Sequence, residues 1–300
     1  MLCENILEVM GGTPLVRLRR LVPDDYADVY VKMESLNPGG SHKAKVALSM
    51  ILAAEADGEL RRNSGQTIIE PTGGNTGIGL AMAGSIFGYR IVLVIPDNYS
   101  HEKQRVLLGY GATVILSDSA KGPDSHVEKV WELLVEHPDW VFLNQFENRA
   151  NVDVHKKSTA VEILRDIQRA DGYVGGIGTG GSITGIGEAL KEHFPECDII
   201  GVQPEGCDIL KKVFVPHGIQ GLAVGFPTLL NVDIIDGMIS VSEQKATETM
   251  RRLLKEEGLS VGISSGANVY AAIKLAETLG KGKVVVTIAA DSAAAYLDIL

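Results

Sequence analysis

Hydrophobic and polar positions along the 300-residue chain follow two patterns in alternation, one typical of buried strands and one typical of helices. Short continuous Val/Ile/Leu runs without polar alternation favour strands that are covered on both faces. The predicted strands are 28–33, 66–70, 90–96, 112–116, 173–177, 198–203 and 284–288. The predicted helices are 41–60, 77–87, 101–110, 183–192 and 242–257. Ser41 is the predicted N-cap of the first helix.

The order of these elements predicts the fold class. Strands that alternate with helices form parallel sheets with helices on both faces. Two such series within 300 residues indicate two three-layer α/β domains with mostly parallel sheets and a cleft between them. The polar and aperiodic segment 147–157 is predicted to be a linker or a mobile loop.

Charge and cysteine content exclude several classes of protein. The chain has 28 basic and 38 acidic residues, and this balance of −10 argues against a nucleic-acid partner and against an anionic membrane surface. No apolar stretch of ~18 residues and no secretory signal is present, so we expect neither a membrane span nor export. Cys3, Cys197 and Cys207 fit no metal-ligand spacing and no even disulfide framework, which predicts a reducing cytoplasm and no metal site.

Glycine is in excess: 34 of the 300 residues are glycine, which is more than the usual ~7% of a chain. The densest run, 175–187, leads from a predicted strand into a predicted helix. Glycines allow backbone amides to converge on an anion, and a helix N-terminus adds positive dipole charge. Thr179 and Ser182 add hydroxyl donors, so the run predicts a phosphate-binding loop. The alternative is a tight turn that lets a helix pack closely on the sheet.

The kind of phosphate is left open by this loop alone. Gly176, Gly178 and Gly181 match the G-x-G-x-x-G pattern of dinucleotide binding, and Glu205 stands where a ribose-binding acid could lie. This match would indicate a nicotinamide-dependent oxidoreductase. The hydroxyl side chains in the same loop instead favour a single phosphate dianion held by many donors.

Two further glycine loops carry chemistry of their own. Residues 70–79 place Asn75 and two threonines before a helix, where they can bind a carboxylate or simply form a packing turn. Residues 37–45 place Lys43 in the first turn of a helix, where the helix dipole disfavours a cation. This position should lower the pKa of Lys43, as an amine nucleophile or base requires. Lys45, by contrast, is predicted to be an ordinary exposed lysine.

The chain resembles the cysteine synthase (O-acetylserine sulfhydrylase) family of pyridoxal-phosphate enzymes, which also includes cystathionine β-synthase and has the fold of the tryptophan synthase β subunit. The resemblance rests on four motifs in order and runs from Gly12 to Leu297. The motifs are Asn-Pro-Gly-Gly-Ser at 37–41 before Lys43, Thr-Gly-Gly-Asn-Thr-Gly at 72–77, Gly-Thr-Gly-Gly-Ser at 178–182 and Gly-Ile-Ser-Ser-Gly at 262–266.

The family implies a division of the chain into domains. A smaller, mobile N-terminal domain would comprise 1–12 and 36–148, and a larger C-terminal domain would comprise 13–35 and 149–300. Pyridoxal 5'-phosphate would lie in the cleft between them. A homodimer is expected, because these enzymes usually pair.

The resemblance also implies roles for individual residues. Lys43 would form the Schiff base with the cofactor and move the Cα proton of the substrate, Asn75 would bind the ring hydroxyl and Ser264 would face the pyridine nitrogen. The phosphate would be held by Gly178, Thr179, Gly180, Gly181 and Ser182. The substrate carboxylate would be held by Thr72, Gly73, Thr76 and Gln145, and Gly221 would contact the substrate amine.

The activity implied is β-replacement on an activated L-serine, O-acetylserine or O-phosphoserine, through an aminoacrylate, with sulfide giving L-cysteine. A neutral Ser264 opposite the ring nitrogen makes a weaker electron sink than a carboxylate would, which suits loss of a β leaving group. The alternatives are a β-lyase such as a cysteine desulfhydrase, a condensing enzyme of the cystathionine β-synthase type, and a relative without catalytic activity. The partners expected are a small amino acid and sulfide or another small nucleophile.

Several positions depart from the family pattern. Gly73 stands where cysteine synthases usually have Ser, which removes a hydroxyl from the predicted carboxylate site and favours a specialised member. His42 and Ala44 flank the lysine in place of the usual residues, and 148–155 lacks the usual proline. Ala293–Ala295 replaces the Gly and Arg that usually precede Tyr-Leu.

Overall fold

The computed structural model describes residues 2–98, 101–122, 124–223 and 228–296, so Leu297 lies outside the described residues. The chain forms two compact units. The first unit comprises Met1–Met10 with Asn37–Ala150, and the second comprises Gly11–Leu36 with Asn151–Leu300. The mobility that the family implies for the smaller unit stays a prediction.

The strands, in chain order, are β1 Leu15–Arg17, β2 Asp28–Lys32, β3 Thr67–Glu70, β4 Arg90–Pro96, β5 Thr113–Ser117, β6 Val141–Phe142, β7 Gly172–Gly176, β8 Asp198–Pro204, β9 Gly237–Val241 and β10 Val284–Ile288. The α-helices are α1 Lys43–Ala56, α2 Asn75–Phe87, α3 His101–Gly109, α4 Ser125–Glu136, α5 Ala150–Val154, α6 Ala160–Asp166, α7 Gly181–His193, α8 Glu243–Arg252 and α9 Ile263–Leu279. Two π-helical turns, His155–Thr159 and Leu253–Glu257, follow α5 and α8.

The first unit contains a four-stranded parallel sheet in the order β5-β4-β3-β6. Successive side chains of β4 point to opposite faces of the sheet. Val92 and Val94 pack with α4, whereas a Cβ on Gly77 or Gly84 of α2 would meet Leu93 or Ile91. Helices therefore cover both faces of β4, which explains why its sequence is apolar almost throughout.

The second unit contains a six-stranded sheet in the order β1-β2-β10-β7-β8-β9, parallel except for β1. Successive residues of β10 point to opposite faces of the sheet and belong to two different hydrophobic clusters. Val285 of β10 lies in a cluster with residues of α8 and α9, and Val286 lies in a cluster with residues of α6 and α7. This unit is also a three-layer α/β arrangement, and the predicted fold class of two α/β domains with mostly parallel sheets is confirmed.

The predicted N-cap of the first helix is wrong. Pro38 starts a short 3₁₀ turn that ends at Gly40, and Ser41 follows this turn in extended conformation. His42 occupies the cap position without a side-chain cap hydrogen bond, and α1 begins at Lys43. The helix ends at Ala56 rather than at residue 60, because Gly58 adopts a left-handed φ of +80°.

The segment 147–157, predicted to be a linker or a mobile loop, contains the point between Ala150 and Asn151 where the chain passes from the first unit to the second, but most of it is helical and not a loop. It folds into α5 and a π-helical turn that leads directly into α6. Asn151, His155 and Thr159 are fully buried at a spacing of four residues, so the helical period exists but its buried side chains are polar. Gly185 of α7 lets this backbone approach closely, since a Cβ there would lie 2.3 Å from the carbonyl oxygen of Val152.

Among the elements that the pattern did not predict are β1, α4, β6, β9 and α9. The helix α9 is buried on most of its surface and therefore shows no amphipathic period. In the described ranges, no helix is long and apolar enough to cross a membrane. The same ranges hold no group of three or more His, Cys, Asp or Glu residues arranged to bind a metal ion.

Candidate active site

Lys43 is the first residue of α1, at the end of the helix where the dipole disfavours a cation. Burial lowers the pKa of its ammonium group from 10.5 to about 8, with no acidic side chain among the described residues opposing the shift. An amine with this pKa is uncharged in an appreciable fraction of molecules near neutral pH. Lys43 can therefore act as a nucleophile or as a base. The neighbouring Lys45, predicted to be an ordinary exposed lysine, is instead buried.

The backbone of Lys43 is held by close packing of α1 against α2. A Cβ on Gly79 would lie 2.9 Å from Cα of Ala44, 2.8 Å from Cβ of Ala47 and 3.1 Å from the carbonyl oxygen of Lys43. Only glycine allows this approach. The contact fixes the first turn of α1 against the helix that follows the loop containing Thr72.

The loop between β3 and α2 is fixed by its own hydroxyl group. The Oγ1 atom of Thr72 accepts a hydrogen bond from the amide of Gly74 at 3.4 Å. Gly73 is buried within this turn, and Asn75 begins α2 directly after it. The predicted substrate residues Thr72 and Gly73 thus lie beside the predicted cofactor residue Asn75 in one short loop.

Thr76 and Gln145, predicted to share the carboxylate site, are brought together although 69 residues separate them. The Thr76 hydroxyl donates to Oε1 of Gln145 at 2.6 Å, and both residues are buried. The backbone of the Gln145 loop is in turn held by the carboxylate of Glu70, a residue that the sequence did not single out. Glu70 ends a fully buried strand, which is an unusual position for an acid.

The glycine loop of the second unit connects β7 to α7. Gly180 has a left-handed φ of +88°, and a Cβ there would lie 2.5 Å from the amide nitrogen of Leu230. A Cβ on Gly181 would lie 2.4 Å from Oδ1 of Asn151. Gly180 therefore requires glycine, whereas a side chain at Gly181 would displace the amide of Asn151. The helix α7 begins at Gly181, with Gly178 just before the turn.

The hydroxyl oxygen of Thr179 already accepts two hydrogen bonds. Its Oγ1 accepts hydrogen bonds from Nδ2 of Asn151 at 3.1 Å and from the amide of Gly181 at 3.4 Å. A threonine hydroxyl accepts two hydrogen bonds and donates one, so the O–H is left as a donor. Together with the buried Ser182 and the start of α7, this donor suits a phosphate dianion.

Ser264 is buried in the first turn of α9, two residues after the cap residue Gly262. The amide of Gly262 donates to the carbonyl oxygen of Asp291 at 3.0 Å, and a Cβ there would lie 2.1 Å from Oδ1 of the same residue. The start of α9 is thereby fixed. Ser264 presents a neutral hydroxyl rather than a carboxylate at this position.

Gly221 has a left-handed φ of +87° and is exposed, with no described atom within 4 Å of the position of a Cβ. Glycine is therefore required there by backbone conformation alone.

Cys197 lies in the hydrophobic cluster that also contains Val286, and burial there raises the pKa of its thiol to about 12. It therefore does not provide a thiolate. The exposed Glu205 follows β8.

Each unit fits one part of pyridoxal phosphate. The glycine loop of the second unit supplies hydroxyl donors and a helix N-terminus to a phosphate, with the Cβ space at Gly180 and Gly181 already occupied. In the first unit, Lys43 supplies an amine of lowered pKa that can react with an aldehyde. The residues present therefore suit this cofactor, although their individual roles stay predictions.

Comparison with known proteins tests this interpretation. A family model described as "Pyridoxal-phosphate dependent enzyme" matches residues 6–291. The chain is 44% identical over 299 residues to a cysteine synthase of Staphylococcus aureus strain N315, covering 98% of this chain and 96% of that protein. It superposes on a crystal structure of an O-ureido-L-serine synthase with a TM-score of 0.95 at 40% identity, covering 99% of this chain and 94% of that one.

A hydrogen sulfide-producing enzyme from Fusobacterium nucleatum is also similar, with a TM-score of 0.94 at 36% identity and 99% of each chain covered. The resemblance predicted from the four motifs and the predicted cofactor are confirmed. The chain belongs to the family of pyridoxal-phosphate dependent enzymes, as a cysteine synthase-like member of it.

Proposed function

We propose that the chain catalyses β-replacement on an activated L-serine, with sulfide as the nucleophile and L-cysteine as the product. O-acetyl-L-serine is the proposed first donor and O-phospho-L-serine the second. The observation that carries the proposal is Lys43, an amine of pKa about 8 at the start of α1. Similarity to a cysteine synthase over 98% of the chain supports the choice of substrates.

Pyridoxal phosphate, when bound, withdraws electrons from Cα of an attached amino acid and so allows the Cα proton and the β substituent to leave. We assign Lys43 two tasks, to hold the cofactor by its aldehyde carbon and to take the Cα proton on Nζ. A base works best when its pKa lies near the working pH, and burial gives Lys43 such a value.

The remaining cofactor contacts are assigned to both units. Asn75 would bind the ring hydroxyl and Ser264 the pyridine nitrogen, where a neutral hydroxyl does not enforce protonation of the ring. The phosphate would be bound by the loop Gly178, Thr179, Gly180, Gly181 and Ser182. The hydroxyl of Thr179 is suited to this task because Asn151 and Gly181 already donate to its oxygen.

The substrate carboxylate is assigned to Thr72, Gly73, Thr76 and Gln145 in the first unit. Thr76 donates its hydroxyl hydrogen to Oε1 of Gln145. The Nε2 group is then the end directed away from Thr76. We assign this group to the carboxylate, and the left-handed turn at Gly221 to the substrate amine.

A second candidate is a β-lyase that releases sulfide from L-cysteine. It is favoured by the similarity to the hydrogen sulfide-producing enzyme of Fusobacterium nucleatum and by Gly73, which supplies no hydroxyl to the carboxylate site. The similarity to an O-ureido-L-serine synthase means that nucleophiles other than sulfide are also candidates. A homodimer in the cytoplasm is expected from the family and is proposed on that ground.

The test compares three reactions of the same holoenzyme: O-acetyl-L-serine with sulfide, O-phospho-L-serine with sulfide, and L-cysteine alone. We expect cysteine formation from O-acetyl-L-serine to be the fastest. Lys43→Ala should lower this rate by at least ~10²-fold, because it removes the base. Lys129→Ala, which changes a partly exposed lysine paired with Glu132, is the matched control and should keep the wild-type rate. Faster sulfide release from L-cysteine than cysteine synthesis would reverse the assignment in favour of the lyase.

A further inference from the structure

Glu70, in the first unit, is a buried carboxylate that none of the described basic side chains contacts, and it holds the loop that carries Gln145. Glu70 is the last residue of β3 and has no exposed surface. Its Oε1 accepts the amide hydrogen of Gln145 at 2.9 Å, and its Oε2 accepts that of Asn144 at 3.0 Å. Each carboxylate oxygen therefore holds one of two consecutive backbone amides.

The surroundings of Glu70 give it no other evident task. In the part of the chain that the structure describes, burial and these two amides shift its pKa, and burial is the larger influence, so the pKa rises to about 7. An unpaired buried carboxylate is costly to keep unless both oxygens are used. The hydrogen bonds from the two amides offset the cost of burying the Glu70 carboxylate. They also connect the end of β3 to a loop 74 residues later in the chain.

The loop that Glu70 holds is compact and has a defined direction. Asn144 adopts a left-handed φ of +51°, which is uncommon for a residue other than glycine. The amide of Asn148 donates to the carbonyl oxygen of Asn144, and its side chain donates to that of Leu143. The same loop presents the Gln145 side chain to the hydroxyl of Thr76. Anchoring the backbone at residues 144 and 145 therefore sets where the Gln145 amide lies.

We propose that Glu70 is a positioning residue for substrate binding, which acts by holding the backbone of Asn144 and Gln145 so that the Gln145 amide binds the carboxylate of the amino-acid donor. This inference rests on the proposed assignment of Gln145 to that carboxylate. A carboxylate is needed because two N–H groups require two acceptors, whereas glutamine would turn an NH₂ donor towards one of them. The alternative is that Glu70 only connects β3 to the loop and has no effect on binding of the amino-acid donor.

The test uses Glu70→Gln in the holoenzyme with O-acetyl-L-serine as the probe. We expect KM for O-acetyl-L-serine, and its Kd measured from the change in the visible spectrum, to rise by about tenfold to a hundredfold. The maximal rate should change less than KM. Affinity for pyridoxal phosphate should keep its wild-type value, because the Glu70 carboxylate holds the amides of Asn144 and Gln145, neither of which is assigned to the cofactor.

Glu55→Gln is the matched control, since Glu55 is a carboxylate of the same unit whose partners are the side chains of Arg62 and Tyr89. It should leave KM unchanged. Hydrogen exchange over residues 141–148 gives a readout that does not depend on activity, and Glu70→Gln should raise exchange there. If Glu70→Gln does not accumulate as folded protein, Glu70→Asp retains the charge with a shorter reach and should raise KM in the same direction.

A double-mutant comparison separates positioning from structure. In a Gln145→Ala background, Glu70→Gln should raise Kd for O-acetyl-L-serine by less than threefold, because the group it positions is gone. Faster exchange with unchanged KM and Kd, or equal effects of Glu70→Gln with and without Gln145, would overturn the proposal. Wild-type enzyme that binds O-acetyl-L-serine without turning it over would instead contradict the proposed function, and the binding measurements would still test Glu70.

Discussion

Two junctions of the same type, strand to glycine loop to helix, lie in separate units and are fixed by different means. The junction from β7 to α7 is fixed by backbone packing at Gly180, where a Cβ would lie 2.5 Å from the amide nitrogen of Leu230. The junction from β3 to α2 is fixed by polar side chains, chiefly Thr72 and the pair formed by Thr76 and Gln145. The contact to a distant segment of the chain is therefore a backbone approach through Gly180 at the first junction and a side-chain hydrogen bond through Thr76 at the second.

This difference matches the ligand groups assigned to the two junctions. A phosphate is the same group in every turnover and can be bound by a fixed array of amides and hydroxyls. A substrate carboxylate must bind and leave, and side-chain donors allow its affinity to be tuned by single replacements. Substitutions in the β7–α7 junction should therefore act through steric conflict and affect the cofactor. Substitutions at Thr72, Gly73 or Thr76 in the β3–α2 junction should act through hydrogen bonds and affect the amino acid, whereas Asn75 of the same junction is assigned to the cofactor.

The largest effect is expected from Gly180→Ala. A Cβ 2.5 Å from the amide of Leu230 forces backbone movement, and the left-handed φ adds strain. Overpacking of ~1–3 kcal/mol and strain of ~1–2 kcal/mol together predict at least about a thirtyfold weaker Kd for pyridoxal phosphate. The control is Gly258→Ala, which has a similar φ of +71° but open space around the added Cβ. Equal losses of cofactor affinity in both variants would contradict the steric explanation.

The next effect concerns pH and the amine of Lys43. Lys43 has a lowered pKa of about 8, so it is mostly protonated below this pH and mostly neutral above it. Only the neutral amine attacks an aldehyde, so the rate of cofactor uptake by apoenzyme should rise about tenfold per pH unit up to about pH 8 and then level off. Stopped-flow absorbance gives this profile. A rate that continues to rise towards pH 10 would indicate a lysine with an ordinary pKa.

Thr76→Val is expected to affect the amino acid and not the cofactor. The change keeps the shape of the buried side chain but removes the hydroxyl that donates to Oε1 of Gln145. One buried acceptor is then left without its donor, which should cost ~1–2 kcal/mol and raise KM for O-acetyl-L-serine about tenfold. Thr278→Val, at an exposed threonine of α9, serves as the control. A loss of pyridoxal phosphate affinity with unchanged KM would break the division between the two junctions.

The smallest effect is expected from Gly73→Ser, which adds the hydroxyl found at this position in typical cysteine synthases. One added hydrogen bond to the carboxylate is worth ~0.5–1.5 kcal/mol, so KM for O-acetyl-L-serine should fall by about threefold to tenfold. Competition assays between O-acetyl-L-serine and L-cysteine would give the change in preference. A rise in KM would indicate that the space at Gly73 is needed by the natural donor.

The parts of the molecule that could be predicted from sequence are those with a local signal. Continuous apolar runs such as 90–96 gave the buried parallel strands, and the glycines at 178–182 gave the turn into α7. The helical segment after residue 149 could not be predicted in this way, because its period is carried by polar side chains such as Asn151 and His155. Apolar periodicity is the primary signal of an amphipathic helix, and that signal is missing here.

Non-local contacts explain the other differences. Ser41 matches an N-cap by residue type, but the turn begun by Pro38 shifts the start of the helix to Lys43. Glu70 holds amides 74 and 75 residues further along the chain, and no local pattern carries such a pairing. The motif containing Lys43 was found without these contacts, because its glycines and its helix start are adjacent in sequence.

The central claim is that Lys43 is the residue that carries pyridoxal phosphate, and one measurement tests it most directly. The holoenzyme is reduced with borohydride, which makes the bond between cofactor and lysine permanent, and the labelled peptide is identified by mass spectrometry. We predict a single pyridoxyl group on Lys43 and none on the neighbouring Lys45. A label on Lys45 or on any other lysine, or a reduced holoenzyme without label, would contradict the account.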